Sequence, residues 1–207
     1  MEIFDSIRSN FKVISLKGEK LKTYLVPGVI WITGLSASGK STAGKHLYEK
    51  LQNSGIENAE ILDGEELRAR LDRKYGYTVE ERMAVAENIV RVAAGKIKSG
   101  KLVIVSTITH KLAMRKMARD LINPFMEVYL QCPVEVCAAR DYKGNYEQAL
   151  AGKCDNFIGV TEPYELSAHP ELVLDTSRLG VEDCSEILFK KTLEMFQKES
   201  LTMQVNG

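Results

Sequence analysis

Between Gly34 and Thr42 the chain reads GLSASGKST, and the spacing Gly34-x4-Gly39-Lys40-Ser41 is that of a loop built to hold phosphate. Glycines at those two places let the backbone curl, so that its N–H groups converge on phosphate oxygens at the start of a following helix. Lys40 then reaches β- and γ-phosphates, and the Ser41 hydroxyl ligates Mg²⁺. Gly34, Ser36, Ala37, Ser38, Gly39, Lys40, Ser41 and Thr42 are the candidate nucleotide cradle.

Other residue types suited to phosphate chemistry follow. Asp63 in ILDGEELR ends an apolar run, where a carboxylate serves as general base or Mg²⁺ partner; the competing reading is a helix N-cap. Arg68, five residues on, either clamps an anionic substrate or lies on a solvated helix face beside Arg70 and Arg73. CAARDYKGNY brings Arg140 and Lys143 to the mouth of a long irregular stretch, with Lys153 and Phe157 inside it. Basic groups closing over a donor–acceptor pair neutralise charge in phosphoryl transfer, and an aromatic in a polar loop has a nucleobase to stack on. Arg140 is placed on the ATP side. The four cysteines and three histidines are scattered, with neither zinc spacing nor a redox C-x-x-C pair, so the cysteines are read as reduced structural thiols.

The elements that must position these groups are legible as short apolar runs alternating with helical segments. VIWIT (29–33), AEIL (59–62), KLVIVS (101–106), MEVYL (126–130) and ELVL (171–174) read as buried strands. Lys40–Gln52, Val79–Lys98 and Lys111–Leu121 read as helices, and Phe189, Leu193 and Phe196 give a last helix one apolar face. The alternation predicts an α/β fold, a five-stranded parallel sheet flanked by helices. Residues 1–28 read as an N-terminal extension with some strand-like alternation in FKVISLK, and 29–207 as one phosphate-loop domain. The stretch from about 141 to 170 lacks apolar periodicity, exceeds an ordinary connection and is read as a lid.

Length and charge bound the rest. With 207 residues and 44% apolar content the chain can bury one substantial core. Its 28 basic and 28 acidic residues cancel, which argues against nucleic-acid or membrane-surface binding through a global field. Neither a signal-peptide pattern nor a bilayer-spanning apolar run of roughly 18–20 residues is visible, so a cytoplasmic location is expected.

Several segments in order make the chain resemble the adenylyl-sulfate kinases: WITGLSASGKST, LDGEELR, ENIVRVA, MEVYLQCPVEVCAARDYKGNYEQALAG and FIGVTEPYE…HPELVLDT, over about Val29–Thr176. The resemblance implies a phosphate-loop kinase fold with Mg²⁺ and ATP. The acceptor would be a small nucleotide, adenosine 5′-phosphosulfate, phosphorylated on its 3′-hydroxyl beneath a lid. It further implies that Asp63 lies at the catalytic centre and that Arg68 faces the phosphosulfate. Tyr77 and Phe157 would flank the acceptor base, with Asn88, Thr109, Lys143 and Lys153 on the substrate side. The chain departs from the family pattern at the acceptor. Glu65 replaces the second acid of DGD. The family arginine aligns with Val85 without a gap, and Arg82 supplies that charge only with three residues inserted. The turn after the third strand reads Ile108-Thr109-His110, and Glu147, Gln148 and Leu150 replace the family's basic residues. Two alternatives therefore stand beside the first reading: a related kinase acting on another activated nucleotide such as cytidine diphosphoramidate, and a non-catalytic ATP-binding switch. Oligomeric state stays open, a homodimer included, as does a pairing role for residues 1–28.

Overall fold

β1 (Gly28–Gly34) is buried at every position, because it is the middle strand of a sheet covered on both faces. The computed structural model describes residues 24–197; the FKVISLK alternation lies outside them. β2 (Ala59–Asp63), β3 (Leu102–Ser106), β4 (Phe125–Gln131) and β5 (Leu172–Asp175) complete the sheet, in the order β2-β3-β1-β4-β5 and parallel at every pairing. Each strand lies within one residue of its predicted bounds. Ser106 registers with Ile32 on one side and Asp63 on the other, so the ends of β1, β2 and β3 come out along one edge. The connection after β1 leads to β2, and the one after β3 crosses back to β4. The order reverses beside β1, where parallel sheets leave a crevice.

Helices α1 (Lys40–Asn53), α2 (Gly64–Ala69), α3 (Val79–Lys98), α4 (Leu112–Leu121), α5 (Val134–Arg140), α6 (Asn145–Leu150) and α7 (Val181–Phe196) fill the connections. Strand alternation sorts the core. Ile30 and Ile32 face Leu47 and Leu51 of α1 with Leu188, Phe189 and Phe196 of α7. Val29 and Trp31 face Val85, Ile89 and Ala93 of α3 and Ala118 of α4. The start of α3 is fixed by a capping box, in which the Thr78 side chain accepts from the Glu81 amide and the Glu81 side chain accepts from the Thr78 amide.

The stretch 141–170 is more ordered than its lack of periodicity predicts. It contains α6, and it closes a third cluster in which Tyr146 and Ile158 pack with Leu35, Cys132 and Cys137. Farther along it is tied to the sheet by a buried ion pair: Arg115, 2% exposed, lies 3.0 Å from Glu127 of β4. The same guanidinium donates to the Ser167 hydroxyl at 3.1 Å and to the carbonyls of Thr109 and Glu165. Glu171 accepts from both Arg119 and the Glu127 amide. Arg115 points inward from α4 and staples residues 165–167 to it.

Candidate active site

The phosphate-type loop joins β1 to α1 with Ala37 and Gly39 in left-handed conformations, at φ 56° and 96°. Gly34 also has a positive φ, and a Cβ there would stand 2.7 Å from the Leu130 carbonyl, so only glycine fits. The carbonyls of the loop are engaged by protein donors. Tyr146 donates its hydroxyl to Ser36 O at 3.0 Å, Thr176 to Ser38 O at 3.0 Å and Ser106 to Lys40 O at 3.2 Å. With those oxygens engaged by protein donors, the loop amides and the N-terminus of α1 are an electropositive end suited to an anion. Lys40 bends over the loop and donates to Leu35 O at 2.6 Å. Its burial pulls the ammonium down to about 8, against an opposite pull from Glu65, Cys137 and Asp63. The Ser38 hydroxyl is buried without a hydrogen-bond partner.

Asp63 is the N-cap of α2 and also faces the phosphate-type loop. One carboxylate oxygen accepts from the amides of Glu65 and Glu66 at 2.8 and 3.4 Å, capping α2. The other accepts from the Ser41 hydroxyl at 2.7 Å. A hydroxyl and a carboxylate thus meet at the mouth of the loop, an oxygen pair of the kind Mg²⁺ uses alongside water and phosphate oxygens. Glu65, the departure from the family's second acid, pairs with Lys143 across the opening at 3.2 Å. Both side chains are largely exposed, so the pairing itself contributes little stability.

Beside this mouth the chain gathers two guanidinium groups around one tyrosine. Arg68 lies 4.3 Å and Arg82 5.0 Å from the centre of the Tyr77 ring, which is 59% exposed. Arg68 donates to the carbonyls of Tyr75, at 2.8 Å, and Gly76. Arg82 donates to Tyr77 O at 3.0 Å and to Asn156 O at 2.9 Å. Burial and the neighbouring Arg68 both lower the Arg82 pKa. Val85 is 6% exposed and belongs to the core, whereas Arg82, about one turn earlier, brings its charge to Tyr77. Phe157 follows Asn156 and packs edge-on against Tyr146, centroids 4.8 Å apart.

Other sequence candidates are placed differently. Thr109 is 1% exposed; its hydroxyl accepts from Trp31 Nε1 at 3.0 Å and lies 3.2 Å from the Thr33 hydroxyl, which in turn meets Tyr164 at 2.8 Å. In this structure the Thr109 hydroxyl is held by the neighbours that satisfy it. Asn88 donates to Ala84 O at 2.8 Å and accepts from Arg91 at 3.4 Å, both bonds within α3. Arg140 donates to Thr176 O at 2.8 Å, so it steadies the residue that holds the loop at Ser38. Lys153 sits exposed on the turn after α6. His110 is fully buried, with neither ring nitrogen hydrogen-bonded, and Glu162 Oε1 is 3.7 Å away. Burial, then Arg82 and Lys111, push its pKa down to about 4, so the ring is neutral at pH 7.

Sequence reasoning missed Tyr146, Thr176 and Arg115. Thr176 follows directly on β5, a strand-end position that could have flagged it. Tyr146 and Arg115 carry no comparable local signal, because their partners are far along the chain.

Comparison with known proteins agrees with this geometry. A family model described as adenylylsulphate kinase matches residues 26–175. The adenylyl-sulfate kinase of Bacteroides thetaiotaomicron is 35% identical over 173 residues, 83% of this chain and 86% of that one. The bifunctional enzyme NodQ of Rhizobium sp. (strain BR816) is 42% identical over 152 residues, and the match spans 72% of this chain but 24% of that larger protein. A Mycobacterium tuberculosis APS kinase, solved in complex with AMPPNP and APS, superposes with a TM-score of 0.73 at 33% identity, covering 81% of this chain and 97% of that one.

Proposed function

The chain belongs to the adenylylsulphate kinase family, and from that premise we propose that it transfers the γ-phosphoryl group of ATP to the ribose 3′-hydroxyl of adenosine 5′-phosphosulfate. The observation that carries the reading is the meeting of two half-sites at one sheet edge. A loop whose carbonyls are bonded by Tyr146 and Thr176 lies there, with Lys40 over it and Ser41 bonded to Asp63, and Arg68, Tyr77 and Arg82 stand beyond. In this reading Lys40 and the loop amides hold the β- and γ-phosphates, and Asp63 orients or accepts the proton of the attacking hydroxyl. Arg68 binds the anionic end of the acceptor, and Tyr77 and Phe157 sandwich its base. Most of the rate comes from alignment and charge stabilisation, as in phosphoryl transfer generally. Ser41 and Asp63 fit Mg²⁺, whose contribution when bound is to neutralise charge on the transferring phosphates. We place the reaction in the cytoplasm: all four cysteines are free thiols, which suits a reducing compartment, and among the described residues no helix is long and apolar enough to cross a membrane.

A second reading shares the donor half and changes the acceptor to another activated nucleotide, such as cytidine diphosphoramidate. It is favoured by three departures from the family pattern: the Glu65–Lys143 pair across the mouth of the loop, the displaced arginine at 82 beside Tyr77, and the buried imidazole of His110. Each charge-assisted hydrogen bond that a sulfate or phosphate no longer receives lowers affinity by about 10- to 100-fold. The deciding experiment is ADP release with Mg²⁺ and ATP against a panel of adenosine phosphosulfate and cytidine diphosphate analogues. Turnover with the adenosine compound supports the first reading. An inert adenosine compound beside a reactive cytidine analogue replaces it with the second. ADP release that no acceptor stimulates removes both and leaves an ATP-binding switch.

A further inference from the structure

We propose that Arg82 is a positioning residue that sets the gap between Tyr77 and Phe157, because its single guanidinium holds the backbones of both walls at once. The inference rests on the reading above, in which those two rings take the acceptor base. Nε donates to the carbonyl of Tyr77 itself, and Nη2 donates to the carbonyl of Asn156, whose C-terminal neighbour is Phe157. The two walls are otherwise 80 positions apart in the chain and supported very differently.

The Phe157 wall is stiff. Its amide donates to the Thr161 hydroxyl at 2.8 Å, its carbonyl accepts from the amides of Val160, Thr161 and Glu162, and its ring leans on Tyr146, which is 1% exposed. The Tyr77 wall stands on residues 70–78, between α2 and α3, which carry neither helix nor strand, and its ring is mostly in solvent. That stretch is held by Leu71 and Tyr75 packing against the core, by Arg68 bonded to Tyr75 and Gly76, by the Glu81 carboxylate on the Gly76 amide at 2.8 Å, and by Arg82. Of the two arginines at Tyr77, Arg82 is the one that also bonds the far wall. It rises from the capped first turn of α3, a fixed base for a spacer.

Two carbonyls some distance apart suit a planar fork of donors and not a lysine ammonium, so charge and geometry can be separated by substitution. A spacer also makes a different prediction from a direct phosphate ligand. Without a phosphate ligand, every acceptor carrying that phosphate binds more weakly by the same factor, whereas without a spacer the discrimination between a large and a small base blurs.

The test measures kcat and KM with Mg²⁺ and ATP in the full chain, for the acceptor it prefers and for the analogue carrying a base of the other size class. It uses the wild type, Arg82→Lys, Arg82→Gln and Tyr77→Ala. Both Arg82 variants are expected to raise KM for the preferred acceptor about tenfold and to narrow the base preference at least about threefold, with KM for ATP within about twofold as the check on folding. Arg82→Lys with wild-type KM and base preference overturns the proposal, as does an equal loss for both acceptors in Arg82→Gln. If Tyr77→Ala is impaired while both Arg82 variants behave as wild type, the spacer alone fails. If Tyr77→Ala keeps both KM and preference, the base-slot reading fails and the spacer with it.

Discussion

At the scale of residues, the useful lesson lies in Asp63 and Lys40. Asp63 caps a helix and bonds Ser41 through different oxygens, so a structural and a catalytic reading of one carboxylate need not compete. The placement of residues 34–42 between a strand and a helix is legible because the motif is local and depends only on its neighbours. Arg82 and Thr109 are not, because a residue type and a family pattern do not reveal which way one helical turn or one strand-end hydroxyl faces. Lys40 supports a prediction of its own. Burial brings its pKa to about 8 in the free protein, so above that pH the loop loses the charge that recognises phosphate. Phosphates bound next to it favour the ammonium, moving the loss to higher pH in the complex. The expected result is a kcat/KM for Mg²⁺-ATP that falls above about pH 8, approaching tenfold per pH unit, while kcat holds to higher pH. A kcat/KM that stays flat to about pH 10 would show that Lys40 keeps its ordinary proton affinity in the free loop.

At the scale of elements, α3 runs from Val79 to Lys98 as the sequence predicts, and the Thr78–Glu81 capping box found in the structure fixes its start. The stretch 141–170 defeats the same approach for a physical reason. Its order comes from single residues, Tyr146, Ile158, Glu165 and Ser167, each engaged by something distant, and isolated anchors have no period. The strongest anchor is the Arg115–Glu127 pair, and removing one partner leaves the other charged and buried. Arg115→Met or Glu127→Gln is expected to cost about 3–5 kcal/mol, read as the shift in a urea unfolding curve. The Arg115→Met/Glu127→Met double variant should recover part of that loss, although the carbonyls of Thr109 and Glu165 go without their donor. Single variants costing under about 1 kcal/mol would mean that residues 165–167 are held by other interactions.

Across the whole molecule, formal charges cancel, so stability against pH is set by the few groups that folding perturbs. On the acid side these act together. His110 sits among Arg82, Lys111, Glu162 and Glu165, and its pKa falls from 6.5 to about 4 in the fold. Between those values the unfolded chain binds a proton that the fold refuses, so stability declines as pH drops through that window. Partners hold Glu162, Glu165 and Glu171 below the ordinary carboxylate range: Lys111 for Glu162, the Leu112 amide for Glu165 and Arg119 for Glu171. Their stabilisation is present above the unfolded carboxylate value and is lost as pH falls through the folded one, extending the decline downward. The alkaline side is mixed. Burial raises Cys137 and Tyr164 to about 12, so stability falls once their unfolded counterparts ionise, whereas the lowered Lys40 adds stability between about 8 and 10.5. The expected profile is a Tm nearly level from about pH 7 to 9 and falling from about pH 6.5 downward, with His110 accounting for about 1–3 kcal/mol of the acid loss. His110→Asn removes the titrating ring, so its Tm should stay level until the carboxylates begin to protonate, whatever the variant's absolute stability. An unchanged slope between pH 6.5 and 4.5 in that variant would show that the buried imidazole is not what makes the fold acid-sensitive.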